Sequence, residues 1–82
     1  MLKAEIYISL KKTIADPQGL AIKHALESLG YKETKDVRTG KLINLRLNIN
    51  NQETAKKRLN EMCRKLLANP IIEDYRFQIK EA

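Results

Sequence analysis

Residues 41–55 read KLINLRLNINNQETA, and the change of period inside this stretch decides the fold. Ile43, Leu45, Leu47 and Ile49 alternate with Asn44, Arg46 and Asn48, the two-residue repeat of a strand that buries one face. At Asn50-Asn51-Gln52-Glu53 the alternation stops and a helical repeat starts. Either Asn can cap a free backbone N–H, and Glu53, three places after Asn50, resembles the acidic half of a capping box. The helix is expected over about 52–68, with Ala55, Leu59, Met62, Cys63, Leu66 and Leu67 as one apolar stripe and Lys57, Arg58, Glu61, Arg64 and Lys65 opposite. Asn69-Pro70 ends it, because a residue before proline is pushed out of the helical region.

Working outward, Ala4, Ile6, Ile8 and Leu10 alternate with Glu5, Tyr7, Ser9 and Lys11, which predicts a first strand over about 3–11. Asp16-Pro17-Gln18-Gly19 is a helix entry: Asp16 can cap, and Pro17 suits the first helical position. That helix is expected to run to about Leu29, with Ile22, Ala25, Leu26 and Leu29 as its core stripe and Gly30 as a left-handed stop. Extended segments at about 33–38 and 41–50, separated by Thr39-Gly40, predict a hairpin with a positive φ at Gly40. Ile71 to Lys80, with Tyr75, Phe77 and Ile79 alternating, predicts a fourth strand.

The order βαββαβ predicts an α+β, ferredoxin-like domain: a four-stranded antiparallel sheet with two helices on one face. Alternation places Tyr7, Ser9, Leu42, Asn44, Arg46, Asn48, Ile72, Asp74, Arg76 and Gln78 on the open face. This set is too polar for a second core. Tyr7, Leu42, Arg46 and Ile72 mark it as a surface that pairs with another subunit.

Size and charge narrow the function. The 82 residues at 9.5 kDa are read as one domain over 1–82, leaving little interior for a deep catalytic cavity. A net charge of +6 and a pI near 9.6 raise the question of a polyanionic partner. One Cys excludes an intramolecular disulfide and points to a reducing, cytoplasmic setting. No apolar run reaches the roughly 18 residues of a membrane helix, and Met1 to Glu5 lacks a signal peptide's apolar stretch. One His and one Cys cannot build a multi-histidine or multi-thiolate metal site, and Ser9 and Ser28 offer little to a triad. The reading is therefore no catalytic set and no metal site.

Individual motifs reduce to structural roles. RNA recognition on this fold stacks bases on exposed aromatics of the two central strands, and those strands offer only Tyr7. No nucleic-acid partner is expected. Glu73 and Asp74 are adjacent on a strand and point to opposite faces, so they cannot converge on one substrate. Thr39-Gly40-Lys41 lacks the earlier glycine and following helix of a phosphate-binding loop. His24 faces away from its helix's apolar stripe, and Cys63 reads as a small buried hydrophobe. An acylphosphatase of this fold carries an arginine-bearing phosphate cradle after the first strand, and no arginine lies between residues 1 and 37.

Together the residues resemble the PurS family, the small subunit of phosphoribosylformylglycinamidine (FGAM) synthase. The matching stretches are Asp16-Pro17-Gln18-Gly19, Ala25-Leu26 with Leu29-Gly30-Tyr31, Val37-Arg38 with Gly40-Lys41, and Glu61-Met62-Cys63 followed by Leu66 through Tyr75. The resemblance implies a non-catalytic assembly subunit in de novo purine biosynthesis, a homodimer or higher homo-oligomer. It would bridge a glutaminase (PurQ type) and a large ATP-dependent synthetase (PurL type) and support ammonia transfer between them. The whole complex converts formylglycinamide ribonucleotide, glutamine, ATP and water to formylglycinamidine ribonucleotide, glutamate, ADP and phosphate. ATP and magnesium are then expected in the synthetase partner and no cofactor on this chain. Polar residues within the matched motifs, Asp16, Gln18, Arg38, Lys41, Asn69 and Glu73, are the candidate partner contacts. An amino-acid-binding regulatory module of the ACT type, which shares the strand and helix order, and an RNA binder remain as alternatives.

Overall fold

The alternating residues form the expected central strand, and the helical repeats form two helices. The computed structural model of the chain describes residues 1–81. Strand β1 spans Leu2–Leu10, α1 Pro17–Ser28, β2 Gly40–Leu47, α2 Gln52–Met62 and β3 Glu73–Glu81, with a π-helical turn over Cys63–Leu67 extending α2. The sheet order is β2-β1-β3, and β1 is antiparallel to both neighbours. Its register stacks Ala4 between Leu45 and Ile79, and Ile6 between Ile43 and Phe77, all on one face. Helix α2 covers this face: Ala55, Leu59 and Cys63 are wholly buried together with Ala4 and Ile6.

The expected four-stranded sheet has three strands among the described residues. Segment 33–38 forms none, because Val37 is its only apolar residue and five polar or charged neighbours give it no alternating face to bury. Gly40 is not a turn residue with positive φ; that conformation belongs to Gly30, at φ 103°. Gly40 instead opens β2 opposite Ser9, where an added Cβ would stand 2.7 Å from the Ile8 carbonyl oxygen. At the other end β2 stops at Leu47, before Ile49. Strand β3 begins at Glu73, so Ile71 and Ile72 lie in the preceding turn and Ile72 is not on the open face.

Two apolar stripes also depart from expectation. In α2 the turn over Cys63–Leu67 is wide, with the Ala68 N–H donating to the Cys63 carbonyl at 2.9 Å. That extra residue per turn brings Ala68 into the core and leaves Leu66 83% exposed. The stripe of α1 is not core either: Leu29 is 74% and Ile22 39% exposed, and Ala25 is exposed as well. Helix α1 packs substantially on no strand and not on α2, so only one helix covers the sheet. The outline is accordingly long, 49 × 27 × 14 Å. Its radius of gyration is 16.3 Å, against about 12 Å for a compact chain of this length.

Candidate functional site

The six polar residues singled out in the sequence gather at one end of the molecule, where β1 ends and β2 and β3 begin. Asp16 caps α1 by accepting the Gly19 N–H at 2.9 Å. The same carboxylate accepts the Thr39 N–H at 2.6 Å and the Thr39 hydroxyl at 2.9 Å, tying the start of α1 to the start of β2. Arg38 closes a second tie, its guanidinium donating to the carbonyls of Lys11 at 2.9 Å and Ile14 at 2.8 Å. Asp16 is only 8% exposed. The N–H donors of Thr39 and Gly19 lower its pKa below the usual carboxylate value, against the opposing pull of burial, with further help from the Thr39 hydroxyl and the Arg38 charge.

Gln18, Lys41 and Glu73 line a cleft of about 450 Å³ beside this clasp, together with Ser9 and Thr39. Lys41 Nζ lies 3.8 Å from Glu73 Oε2. Glu73 also accepts the Asn69 N–H at 2.7 Å, while Asn69 Oδ1 accepts the Ile71 N–H at 3.1 Å, so these two residues shape the turn into β3. Asp74 points the other way, to Lys11 at 3.2 Å, which separates the adjacent carboxylates as strand geometry requires.

Around the corner, a second cleft of about 500 Å³ opens on the uncovered sheet face, with Tyr7, Arg38, Lys41, Leu42, Asp74 and Arg76 among its walls. Tyr7 and Leu42 are cross-strand partners, and Leu42 is 52% exposed. Arg76, opposite Tyr7 on β3, lies 4.1 Å from its ring centroid. Arg46 sits farther along the same face, opposite Lys3.

Sequence reasoning missed Thr39 and Lys11. Thr39 read as a turn residue, and its hydroxyl has a partner 23 positions away, which no local pattern carries. Lys11 read as the polar end of a strand, yet it links β3 through Asp74 and donates its N–H to the Ile72 carbonyl at 2.9 Å.

Every charged group of the clasp is already engaged by the chain's own atoms. Cys63 is wholly buried, and burial raises the pKa of its thiol, the opposite of nucleophile activation. Among the described residues no three His, Cys, Asp or Glu side chains gather as metal ligands, and no helix is long and apolar enough to cross a membrane. The clasp and its cleft thus form a fixed polar rim beside an uncovered sheet face.

Comparison with known proteins bears on the family of the chain. Residues 3–81 match the family model described as PurS: Phosphoribosylformylglycinamidine (FGAM) synthase. A phosphoribosylformylglycinamidine synthase subunit PurS of Bacillus subtilis is 46% identical over 81 residues, covering 99% of this chain and 95% of that protein. The crystal structure of Methanocaldococcus jannaschii PurS, a subunit of formylglycinamide ribonucleotide amidotransferase, superposes with a TM-score of 0.90 at 41% identity, over 100% of this chain and 99% of the other. A chain in the structure of PurLQS from Thermotoga maritima superposes with a TM-score of 0.86 at 27% identity, over 98% and 99% of the two chains.

Proposed function

We propose, from the premise that this chain belongs to the PurS family of phosphoribosylformylglycinamidine synthase subunits, that it is the assembly subunit of that enzyme. It bridges a glutaminase and an ATP-dependent synthetase in purine biosynthesis and helps ammonia pass between them without loss to solvent. ATP and magnesium belong to the synthetase, the reaction centres belong to the two larger subunits, and the complex works in the cytoplasm. What supports the reading most is the near end-to-end likeness to a chain of a PurLQS structure.

On this reading the clasp is a rigid end cap. Asp16 and Arg38 hold the shape, while Gln18, Lys41, Asn69 and Glu73 present the polar rim to a partner. The open face with Tyr7, Leu42 and Arg46 is a second association surface. We read the order β2-β1-β3 as a ferredoxin-like sheet without its outer strand, which leaves the far edge of β2 free.

Reconstitution tests the reading. With synthetase and glutaminase present, leaving out this chain should abolish glutamine-dependent turnover and spare turnover with added ammonia. Full glutamine-dependent activity in its absence would overturn the assignment.

A further inference from the structure

The clasp holds positive charge in place without cancelling it. Arg38 donates to the carbonyls of Lys11 and Ile14, and both bonds leave from one nitrogen, Nη2. Carbonyl oxygens fix the pose of a guanidinium but carry no net charge, and Nη1 and Nε of the same fork have no partner among the described residues. Arg76 stands in a similar state. It lies over the Tyr7 ring, 4.1 Å from the centroid, and no carboxylate pairs with it among the described residues.

Both guanidinium groups wall the same cleft of about 500 Å³ on the uncovered sheet face. The other ionic side chains of that wall have counter-charges of their own: Lys41 lies 3.8 Å from Glu73, and Asp74 lies 3.2 Å from Lys11. Asp16, close by, spends its oxygens on Gly19 and Thr39 and is not part of the wall. What remains is two positive charges, each fixed by uncharged groups of its own chain. Leu42, exposed and paired across the strands with Tyr7, gives the cleft an apolar floor. A volume within roughly 300–1,000 Å³, an apolar floor and a few convergent polar groups describe a small-molecule site.

We infer that this cleft binds a small organic phosphomonoester, its phosphate held between Arg38 and Arg76 and its carbon body laid on Leu42. Charge decides the class: a phosphomonoester carries about −1.5 to −2 at neutral pH, which two guanidinium groups match and a monocarboxylate does not. Phosphate oxygens also accept the paired N–H groups of a planar fork two at a time. A single nucleic-acid strand is the poorer fit, because it needs open aromatic faces for its bases and Arg76 already covers Tyr7. The inference concerns a ligand of this chain and does not depend on the assembly role proposed above.

Phenyl phosphate titrated into the full chain, followed by backbone amide chemical shifts, tests it. Signals of Tyr7, Gly40, Leu42 and Arg76 should move together and saturate, and benzoate, with the same ring and one charge, should bind about tenfold or more weakly, the scale of one charge-assisted hydrogen bond. Arg76 is exposed and lies outside the clasp, so Arg76→Gln leaves the fold in place; it should weaken phenyl phosphate by about the same factor. Arg46→Gln, which removes a cation farther along the same face, should leave the affinity unchanged. Equal losses from Arg76→Gln and Arg46→Gln would overturn the inference, since they would mean general attraction of an anion to a basic surface. So would equal affinities for phenyl phosphate and benzoate, or an absence of saturable shifts at millimolar phenyl phosphate. An oligonucleotide without a terminal phosphate that shifts the same signals at lower concentration would overturn it too, by assigning the cleft to nucleic acid.

Discussion

The Asp16 carboxylate, which opens α1, accepts the backbone N–H of Thr39, one residue ahead of β2, at 2.6 Å. One side chain thus caps a helix and fixes where the next strand starts, although the two sites are 23 residues apart in the chain.

The two bonds from Thr39 can be separated by substitution. Thr39→Ala deletes the hydroxyl and keeps the backbone donor, so it should cost about 1 kcal/mol, the usual net worth of one hydrogen bond. In a domain of this size that lowers Tm by roughly 4–8 °C. Thr39→Pro also deletes the N–H and should cost clearly more. Equal Tm values for the two variants would show that the backbone bond contributes nothing.

Acid should loosen the clasp. The folded-state pKa of Asp16 is held below the ordinary carboxylate value, chiefly by the Thr39 and Gly19 N–H donors. Folding therefore favours the ionised form, and the stabilisation is complete above the unfolded-state pKa of about 4 and lost as pH falls through the lower folded-state value. Urea midpoints measured from neutral pH to about pH 2 should fall more steeply for the parent chain than for Asp16→Asn, which has no proton to gain. Parallel curves would contradict this assignment.

The core was legible in the sequence because it rests on local periods. Alternation of Ala4, Ile6 and Ile8, and the Ala55-Leu59-Cys63 spacing, each place a residue on a face without reference to the rest of the chain. The Asp16 cap was legible for the same reason, since its first partner, Gly19, is three residues away. What escaped was tertiary. Whether an apolar stripe is covered depends on where its helix points, and for α1 that is settled by bonds from Asp16 and Arg38 to residues more than 20 positions distant. The outer strand failed because segment 33–38, with Val37 as its one apolar residue, has no apolar face to reward pairing. The candidate contact residues were chosen from the motifs of the family resemblance, and their gathering at one end was not legible, since it needs the register of all three strands.

Two glycines separate steric from conformational demands. An alanine at Gly19 would gain up to about 1 kcal/mol of helix propensity, but its Cβ would run into the Val37 carbonyl and come within 2.9 Å of Asp16 Oδ2. Backbone cannot swing aside, so overpacking of about 1–3 kcal/mol should win and Gly19→Ala should destabilise. At Gly30 no atom lies within 4 Å of an added Cβ, and only φ 103° resists it. Gly30→Ala should cost about 1–2 kcal/mol through the left-handed backbone alone. Denaturant titration distinguishes them further, because only the Gly19 variant, its Asp16 clasp already disturbed at neutral pH, should lose less stability than the parent on acidification.

Cys63 should be inert in the folded chain. It is wholly buried, and burial raises its thiol pKa, so both access and thiolate fraction oppose attack. A coloured disulfide reagent at pH 8 should label native protein no faster than the protein opens, and react at once in guanidinium. Rapid stoichiometric labelling under native conditions would show that the π-helical turn at Cys63–Leu67 exposes the thiol by local opening.

On the open face, Lys3 of β1 lies directly between Arg46 of β2 and Lys80 of β3, all three exposed, and among the described residues only Lys80 of the three forms an ion pair, with Glu5 at 3.2 Å. Like charges placed opposite one another across strands cost stability, so this row weakens the isolated subunit. On the proposed assembly role, such a cationic row would steer an acidic partner surface and raise the rate of encounter. Lys3→Glu should therefore act in opposite directions on two measurements. Paired with Arg46 and Lys80, it should stabilise the free chain by about 0.2–1 kcal/mol in thermal denaturation. In stopped-flow assembly with the larger subunits it should slow association severalfold at low salt, and the difference from the parent should shrink as ionic strength rises and the Debye length falls below about 10 Å. Association rates equal to the parent's at low salt would mean that the cationic row faces solvent in the complex and plays no part in docking.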